Sequence, residues 1–307
     1  MSAPPRVSVI MAVYNEERFL EEAVESVLAQ GFEGFEVIIA DDGSTDATPE
    51  IARTLAERDP RIRVLRSEGN RGKPFVLNEA LAICRGELIA WFDGDDVMLP
   101  DKLDRQVRAL DANSTAAGCT HDAEMFHAES GRVIGRFSRV FNGAPLRSGG
   151  IELWFDPTYR MLPSATMIRA SLVPSGGFDE RLTYTNDWLF DIEVFRNGLC
   201  LALDEVLVRY RRHDANLSTQ GEATGRTAEE SLMAMAIVTA RYPELQRHAR
   251  TIGAAILLGQ ARRHAARGQW RPAWRYGRAA IGSGGVAGLW GTAAAILRAA
   301  LGGAASH

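Results

Sequence analysis

Cysteine is scarce in this chain of 307 residues: Cys84, Cys119 and Cys200 are odd in number and far apart. That spacing excludes a disulfide framework and a four-thiolate zinc site. The N-terminal MSAPPRVSVI lacks the longer apolar segment of a signal peptide and passes almost directly into a strand-like run, so a cytoplasmic protein is expected. No strand is followed by a GxGxxG turn, and residues 69–74 lack the spacing and the Ser/Thr of a P-loop. No GxSxG elbow supports a hydroxyl nucleophile. Lysine is absent from residues 221–307, which carry eleven Arg and four acidic groups, a balance of +7 within a chain whose net charge is −4. The body, residues 1–220, is therefore at −11, a poor nucleic-acid surface. The basic tail suits either an anionic membrane or phosphorylated acceptor, or a solvated helix face.

What is present is ordinary globular material, 46% hydrophobic and 24% charged, long enough for about two units. Residues 6–13 and 35–40 are continuous apolar runs with β-branched residues, the mark of buried parallel strands. Residues 16–30 repeat apolar side chains at helical spacing. Thr48 before Pro49 predicts an N-cap and first helical position. A third strand over 63–66, a helix over 74–84 and a fourth strand over 87–92 complete the alternation. Such alternation predicts a parallel sheet covered on both faces. Weak periodicity over 116–160 predicts hairpins and loops; residues 184–196 read as a helix and 201–211 as a strand. Residues 281–301 are a marginal apolar stretch, read as a packed or interfacial helix.

Polar clusters follow the strands: Tyr14-Asn15-Glu16, Asp41-Asp42, and Asp93-Gly94-Asp95-Asp96. Ligands of open α/β sheets bind outside the carboxyl ends of the strands. Three carboxylates in four positions repel one another unless a cation or solvent compensates, and an oxygen-rich set suits Mg2+ or Mn2+. A solvated turn with a helix cap is the competing reading. Asp41 or Asp42 could accept hydrogen bonds from a base or ribose, or Asp42 and Ser44 could simply cap.

Taken together, Val7-Ser8-Val9-Ile10 leading to Val13-Tyr14-Asn15-Glu16, Asp41-Asp42-Gly43-Ser44-Thr45-Asp46, Asn70-x-Gly72-Lys73 with Leu77-Asn78-x-Ala80, Gly86-Glu87, and Asp93-Gly94-Asp95-Asp96 with Pro100 resemble the family 2 glycosyltransferases. The resemblance implies a GT-A fold: a Rossmann-like, mainly parallel α/β sheet flanked by helices, here with a C-terminal helical segment. Residues 1–112 would form the nucleotide-sugar half, 113–220 the acceptor half and 221–307 the helical tail. It further implies a nucleotide-diphosphate sugar donor, UDP-linked by default, and Mg2+ or Mn2+. By this analogy Ala12, Val13, Tyr14, Asn15, Glu16 and Asp41 hold the base, with Asp42 nearby. Lys73 and Asn78 line the nucleotide pocket, Asp93 and Gly94 approach the ribose and donor sugar, and Asp95 reaches the metal. Asp96 contacts the site or orients the loop. Ala12 stands where the family usually has proline, a loss of loop stiffness only.

Gly176-Gly177-Phe178-Asp179-Glu180 followed by Asn186-Asp187-Trp188 is similar to the family's acceptor-side motif, whose base is the Asp retained as Asp187. Asn186 replaces an acid, which should ease ionisation of Asp187. The segment Tyr210 to Ser218 resembles the stretch closing the catalytic domain, with His213 at the metal or a diphosphate oxygen. Gln260-Ala261-Arg262-Arg263-His264 lacks the Trp of the processive QxxRW motif and is taken as coincidence. The expected reaction is a single displacement with inversion, non-processive, onto a hydroxyl of a cell-envelope glycan or lipid-linked acceptor. The tail would give peripheral contact at the inner face of the plasma membrane. A nucleotidyltransferase and a nucleotide-sugar-binding scaffold are the alternatives; the former expects a glycine-rich N-terminal loop, and residues 11–17 contain no glycine.

Overall fold

A computed structural model describes residues 4–217, 219, 221 and 226–282. The expectation for residues 281–301 falls almost wholly outside them. The sequence VSVIMAV forms β1 (Val7–Val13), all but one residue buried. The helix expected from residue 16 begins later, as α1 (Leu20–Leu28), because Asn15 takes a positive φ of 55° and turns the chain first. β2 (Phe35–Asp41) is buried throughout, and α2 (Thr48–Arg58) follows. Thr48 is not the cap: Ala47 holds that position, and the Thr48 hydroxyl instead accepts a hydrogen bond from Glu16 N at 2.7 Å. β3 (Ile62–Arg66), α3 (Lys73–Ile83), β4 (Leu88–Trp91), β5 (Val97–Met98) and α4 (Lys102–Ala112) complete the alternating half.

Residues 116–127 correct the expectation of loops. They form β6 (Ala116–His127), a twelve-residue strand buried along most of its length. Buried polar residues Thr120, His121 and Asp122 mask its apolar pattern. Asp122 is satisfied locally, accepting from Ser138 N and Oγ at 3.0 and 2.6 Å and from Ala123 N at 2.9 Å. β7 (Val133–Arg136), β8 (Met167–Arg169), α5 (Asn186–Phe195) and β9 (Leu199–Arg212) follow, then α6 (Arg226–Arg241), α7 (Gln246–Ala266) and α8 (Trp270–Gly282).

One sheet orders its strands β3-β2-β1-β4-β8-β6-β9-β5, with β7 beside β6. The first four are parallel; β8 joins β4 antiparallel, and β6 and β9 pair parallel to each other. The parallel order expected from the alternation therefore holds on one side only. Val13 lies opposite Asp41, and Phe92 N donates to Ile10 O at 3.0 Å, so β1, β2 and β4 end at one edge. The described chain forms two compact units, one running to Trp154 with Thr158–Asn216, the other Phe155–Pro157 with the chain from Leu217.

The opposite edge is locked by Glu36, buried on β2. It accepts from Ser8 Oγ at 2.8 Å, Arg85 N at 2.9 Å and the Arg85 guanidinium at 2.6 Å. Gly86 is required beside it, because a Cβ there would stand 2.5 Å from Ser8 N. Burial works to raise the Glu36 carboxyl, but the Arg85 and Ser8 hydrogen bonds outweigh it and hold the group low. A lowered folded-state pKa stabilises above the unfolded value, about 4.3, and that stability is lost as pH falls through the folded value. Glu36→Gln is expected to cost about 1–2 kcal/mol at pH 7, the worth of charged hydrogen bonds reduced for the half-exposed Arg85. Urea melts of both proteins should converge as pH drops below about 4; a constant gap would show that shape rather than charge matters.

Candidate active site

The site is assembled at the edge where β1, β2 and β4 end. Asn15 N donates to Ser44 Oγ, and Asn15 Oδ1 accepts from Thr45 N, each at 2.9 Å. The turn after β1 is thereby tied to the turn after β2. Ala12 and Val13 are the last residues of β1, and Tyr14 is exposed beyond them. Asp41 is buried, its Oδ1 accepting from Ser44 N at 2.9 Å, with Arg66 Nε 3.3 Å from Oδ2. Asp42 accepts from Arg71 N at 2.7 Å and Gly72 N at 2.9 Å. It thus holds the loop that leads into α3. Burial, with Asp41 adding, still leaves its carboxyl above the usual range.

Lys73, at the start of α3, donates to Asp93 Oδ1 at 2.6 Å. Burial works against its ammonium, but Asp93, with Asp187 and Asp95 behind it, outweighs that and keeps the group charged. Gly94 lies so close to β1 that a Cβ would be 2.7 Å from Val13 Cγ1. Asp95 Oδ2 meets His213 Nε2 at 2.8 Å and accepts from Asn216 Nδ2 at 3.0 Å. Asp96 is fully buried; its Oδ1 accepts from Arg211 N at 3.0 Å, and Arg211 Nε donates to Asp95 O at 2.7 Å. Asp96 therefore anchors the end of β9 to the acidic loop and raises His213 to its level. Burial, then the charges of Asp95 and Asp93, push Asp96 well above the carboxylate range. Glu16 faces the same cluster and is pushed up to about 8 by burial, Asp95 and Asp93.

Asp187 sits in the first turn of α5, its Oδ1 accepting from Trp188 N at 2.8 Å. With Asn186 beside it in place of an acid, the carboxyl still stands above the usual aspartate range. Burial raises the carboxyl, Lys73 opposes, and Asp93 adds to the rise. Asn78, expected along the nucleotide pocket, is engaged by the segment that precedes α5. Its Oδ1 accepts from Phe178 N at 2.7 Å and its Nδ2 donates to Phe178 O at 3.0 Å. Gly177, at φ 61°, makes this approach feasible, since a Cβ would fall 2.3 Å from Asn78 Oδ1. Phe178 stacks on Phe190 of α5 at 4.0 Å, and both rings meet Trp91 of β4 edge-on. Asn78 and Phe178 therefore set the height of α5, and so of Asp187, against β4. Arg211, Asn216 and the Trp91–Phe178–Phe190 cluster were assigned no role from sequence. Asp191 lies one turn beyond Asp187 on α5, where burial and the charge of Asp187 lift its carboxyl well above the usual range; the spacing of four is the signal in the sequence.

The donor set fits a divalent ion. Ligand atoms of Glu16, Asp95 and His213 lie within 4.8 Å of one another, as do those of Asp93, Asp95 and Asp96. Oxygen donors with one imidazole suit Mn2+ or Mg2+.

Residues 8–173 match the sequence profile described as Glycosyl transferase family 2. An uncharacterized glycosyltransferase of Methanocaldococcus jannaschii is 28% identical over 67% of this chain and 71% of its own length. S. aureus TarS 1–349 in complex with UDP-GlcNAc superposes with a TM-score of 0.65 at 21% identity, covering 90% of this chain and 81% of that one. The mannosyltransferase PcManGT from Pyrobaculum calidifontis, in complex with GDP-Man and Mn2+, gives 0.63 at 20% identity, covering 99% and 82%. These likenesses establish the GT-A-type fold.

Asn78→Ala should destabilise the protein by about 1–3 kcal/mol, the cost of leaving the Phe178 backbone groups unsatisfied. Calorimetric titration with a nucleoside diphosphate should give unchanged affinity; a large loss would return Asn78 to the nucleotide pocket.

Proposed function

The chain belongs to glycosyl transferase family 2, and within that membership we propose an inverting, metal-dependent, non-processive transfer from a nucleotide-diphosphate sugar to an acceptor hydroxyl. The observation that carries this reading is the Lys73–Asp93 contact at 2.6 Å beside the Asp95–His213 contact at 2.8 Å, with Asp187 close enough to bear on the same ammonium. The nucleotide sugars and Mn2+ of the structural neighbours support the donor class and the metal; UDP is taken as the nucleotide. Asp95 and His213 would hold the ion, which supplies Lewis-acid stabilisation of the departing diphosphate. Lys73 offers a second positive charge to that leaving group, exchanging Asp93 for a phosphate oxygen. Asp93, freed of the ammonium, can accept from the donor's hydroxyls. Asp187 takes the proton from the acceptor oxygen as that oxygen attacks the anomeric carbon from the face opposite the diphosphate. One displacement inverts the centre. Asp179 is a poorer base, since Arg181 holds it in a paired contact at 2.6 and 2.8 Å.

A base raised by burial must still lose its proton to work. The acid limb of turnover is therefore expected above the ordinary aspartate value of about 3.9, with activity falling as pH drops through it. Asp187→Asn should lower kcat by about 10²–10⁴ and abolish that limb, with donor affinity unchanged. Near-normal turnover would remove Asp187 from the mechanism. Release of free sugar or its transfer, followed by chromatography, also separates an enzyme from a binding scaffold.

A cell-envelope or lipid-linked acceptor reached at the inner membrane face is supported by the second unit. On α8, Trp270, Trp274 and Ile281 lie along one exposed stripe, Trp274 being 62% exposed, with Arg271, Arg275 and Arg278 beside it. Aromatic side chains flanked by arginine suit an anionic interface. Trp290 and Arg298 lie outside the described residues. Among the described residues no helix is long and apolar enough to cross a membrane. Sedimentation with anionic vesicles should be strong at low salt, weaken as salt rises and fail with neutral lipid; no lipid dependence would leave α8 a solvated helix.

A further inference from the structure

Glu16 is bound by its backbone and unused by its side chain. Its N–H donates to Thr48, and its carbonyl accepts from Phe19 N and Leu20 N at 3.0 and 2.9 Å, which starts α1. Any residue could supply those backbone groups. The carboxylate, by contrast, has no hydrogen-bond or ion-pair partner among the described residues, yet it is turned inward, its Cγ 3.5 Å from where a Cβ on Gly94 would stand. It faces Asp95 and His213, with one ligand atom from each of the three inside a 4.8 Å span.

Two triads share Asp95, and their other members differ in availability. Asp93 is engaged by Lys73, and Asp96 is sealed in the interior with Arg211 on its Oδ1. Glu16 has neither carboxylate oxygen in a hydrogen bond among the described residues, and His213, whose Nε2 already meets Asp95 Oδ2 at 2.8 Å, adds the nitrogen donor that the all-aspartate triad lacks. We propose that Glu16 is a third protein ligand of the divalent cation, completing a carboxylate–carboxylate–imidazole set with Asp95 and His213. The inference rests on the reading of Asp95 and His213 as the cation site, and it removes Glu16 from the base-holding turn to which the family resemblance assigned it. Three protein donors leave the remaining positions of a six-coordinate ion for diphosphate oxygens and water.

The test is Mn2+ binding to the full chain in the presence of UDP, read from the free-Mn2+ electron paramagnetic resonance signal. Salt at about 0.5 M suppresses mere long-range attraction while leaving a coordinate bond. Glu16→Gln removes the charge, keeps the shape and breaks no hydrogen bond, so the fold should survive; Glu16→Asp keeps the charge and shortens the reach. Glu16→Gln is expected to weaken Mn2+ by about 10–100-fold, a loss typical of perturbed metal sites, with Glu16→Asp between it and wild type. Asp95→Asn is the control. If Asp95→Asn weakens Mn2+ while Glu16→Gln binds as wild type, the third ligand is refuted and the cation site stands. If neither variant alters binding, the cation-site reading itself falls, and this inference with it.

Discussion

Negative charge at the carboxyl ends of β1 and β4 is the constraint around which the first unit is arranged. Glu16, Asp93, Asp95, Asp96 and Asp187 crowd one sheet edge, and each is within electrostatic reach of at least one other. Like charges so close raise one another's proton affinity, so the cluster is tolerable only with compensation. The fold supplies part of it: Lys73 on Asp93, the Arg211 backbone N–H on Asp96, and His213 with Asn216 on Asp95. The part left over, centred on Glu16 and Asp95, is a demand for a cation.

Holding that cluster requires rigid neighbours. Arg211 reaches from β9 to Asp95 O and on to Glu22 of α1, while its guanidinium lies over the rings of Phe19 and Phe126. Phe19 in turn meets the His213 ring at 5.0 Å. A cation stacked on aromatic faces and hydrogen-bonded along its edge has little freedom left. The Asp187 side is fixed differently, by the stacked Phe178–Phe190 pair under Trp91 and by the Asn78 amide. One half of the cluster is thus positioned by charge and the other by apolar packing, with Asp187 half-buried in the first turn of α5.

Much of this was legible from residue order. Apolar runs of strand length ending in Asp-Asp or Asp-x-Asp-Asp are a local signal, and β1, β2 and β4 end where that signal says. Family 2 membership rests on the same residues. The tail's basic character is a compositional fact that no fold is needed to see, whereas the exposure of Trp270 and Trp274 on α8 is seen only in the structure. The strand β6 was hidden, because Thr120, His121 and Asp122 interrupt its apolar pattern although all three are buried.

Sequence by itself determined the type of each main element as far as β4 and the edge on which its polar clusters gather, while α4 (Lys102–Ala112) carried no such signal. Both follow from periods of two and 3.6 residues and from short-range turn chemistry. Only the tertiary structure decided which polar side chain answers which. Asn78 proved to hold Phe178, a hundred positions away, and Asp96 to hold Arg211, 115 positions away. The Asp187 carboxyl is likewise raised chiefly by burial, with Lys73 opposing, and its place in the chain reveals neither. Desolvation and long-range pairing depend on packing, and packing joins residues whose separation in sequence carries no information about their distance.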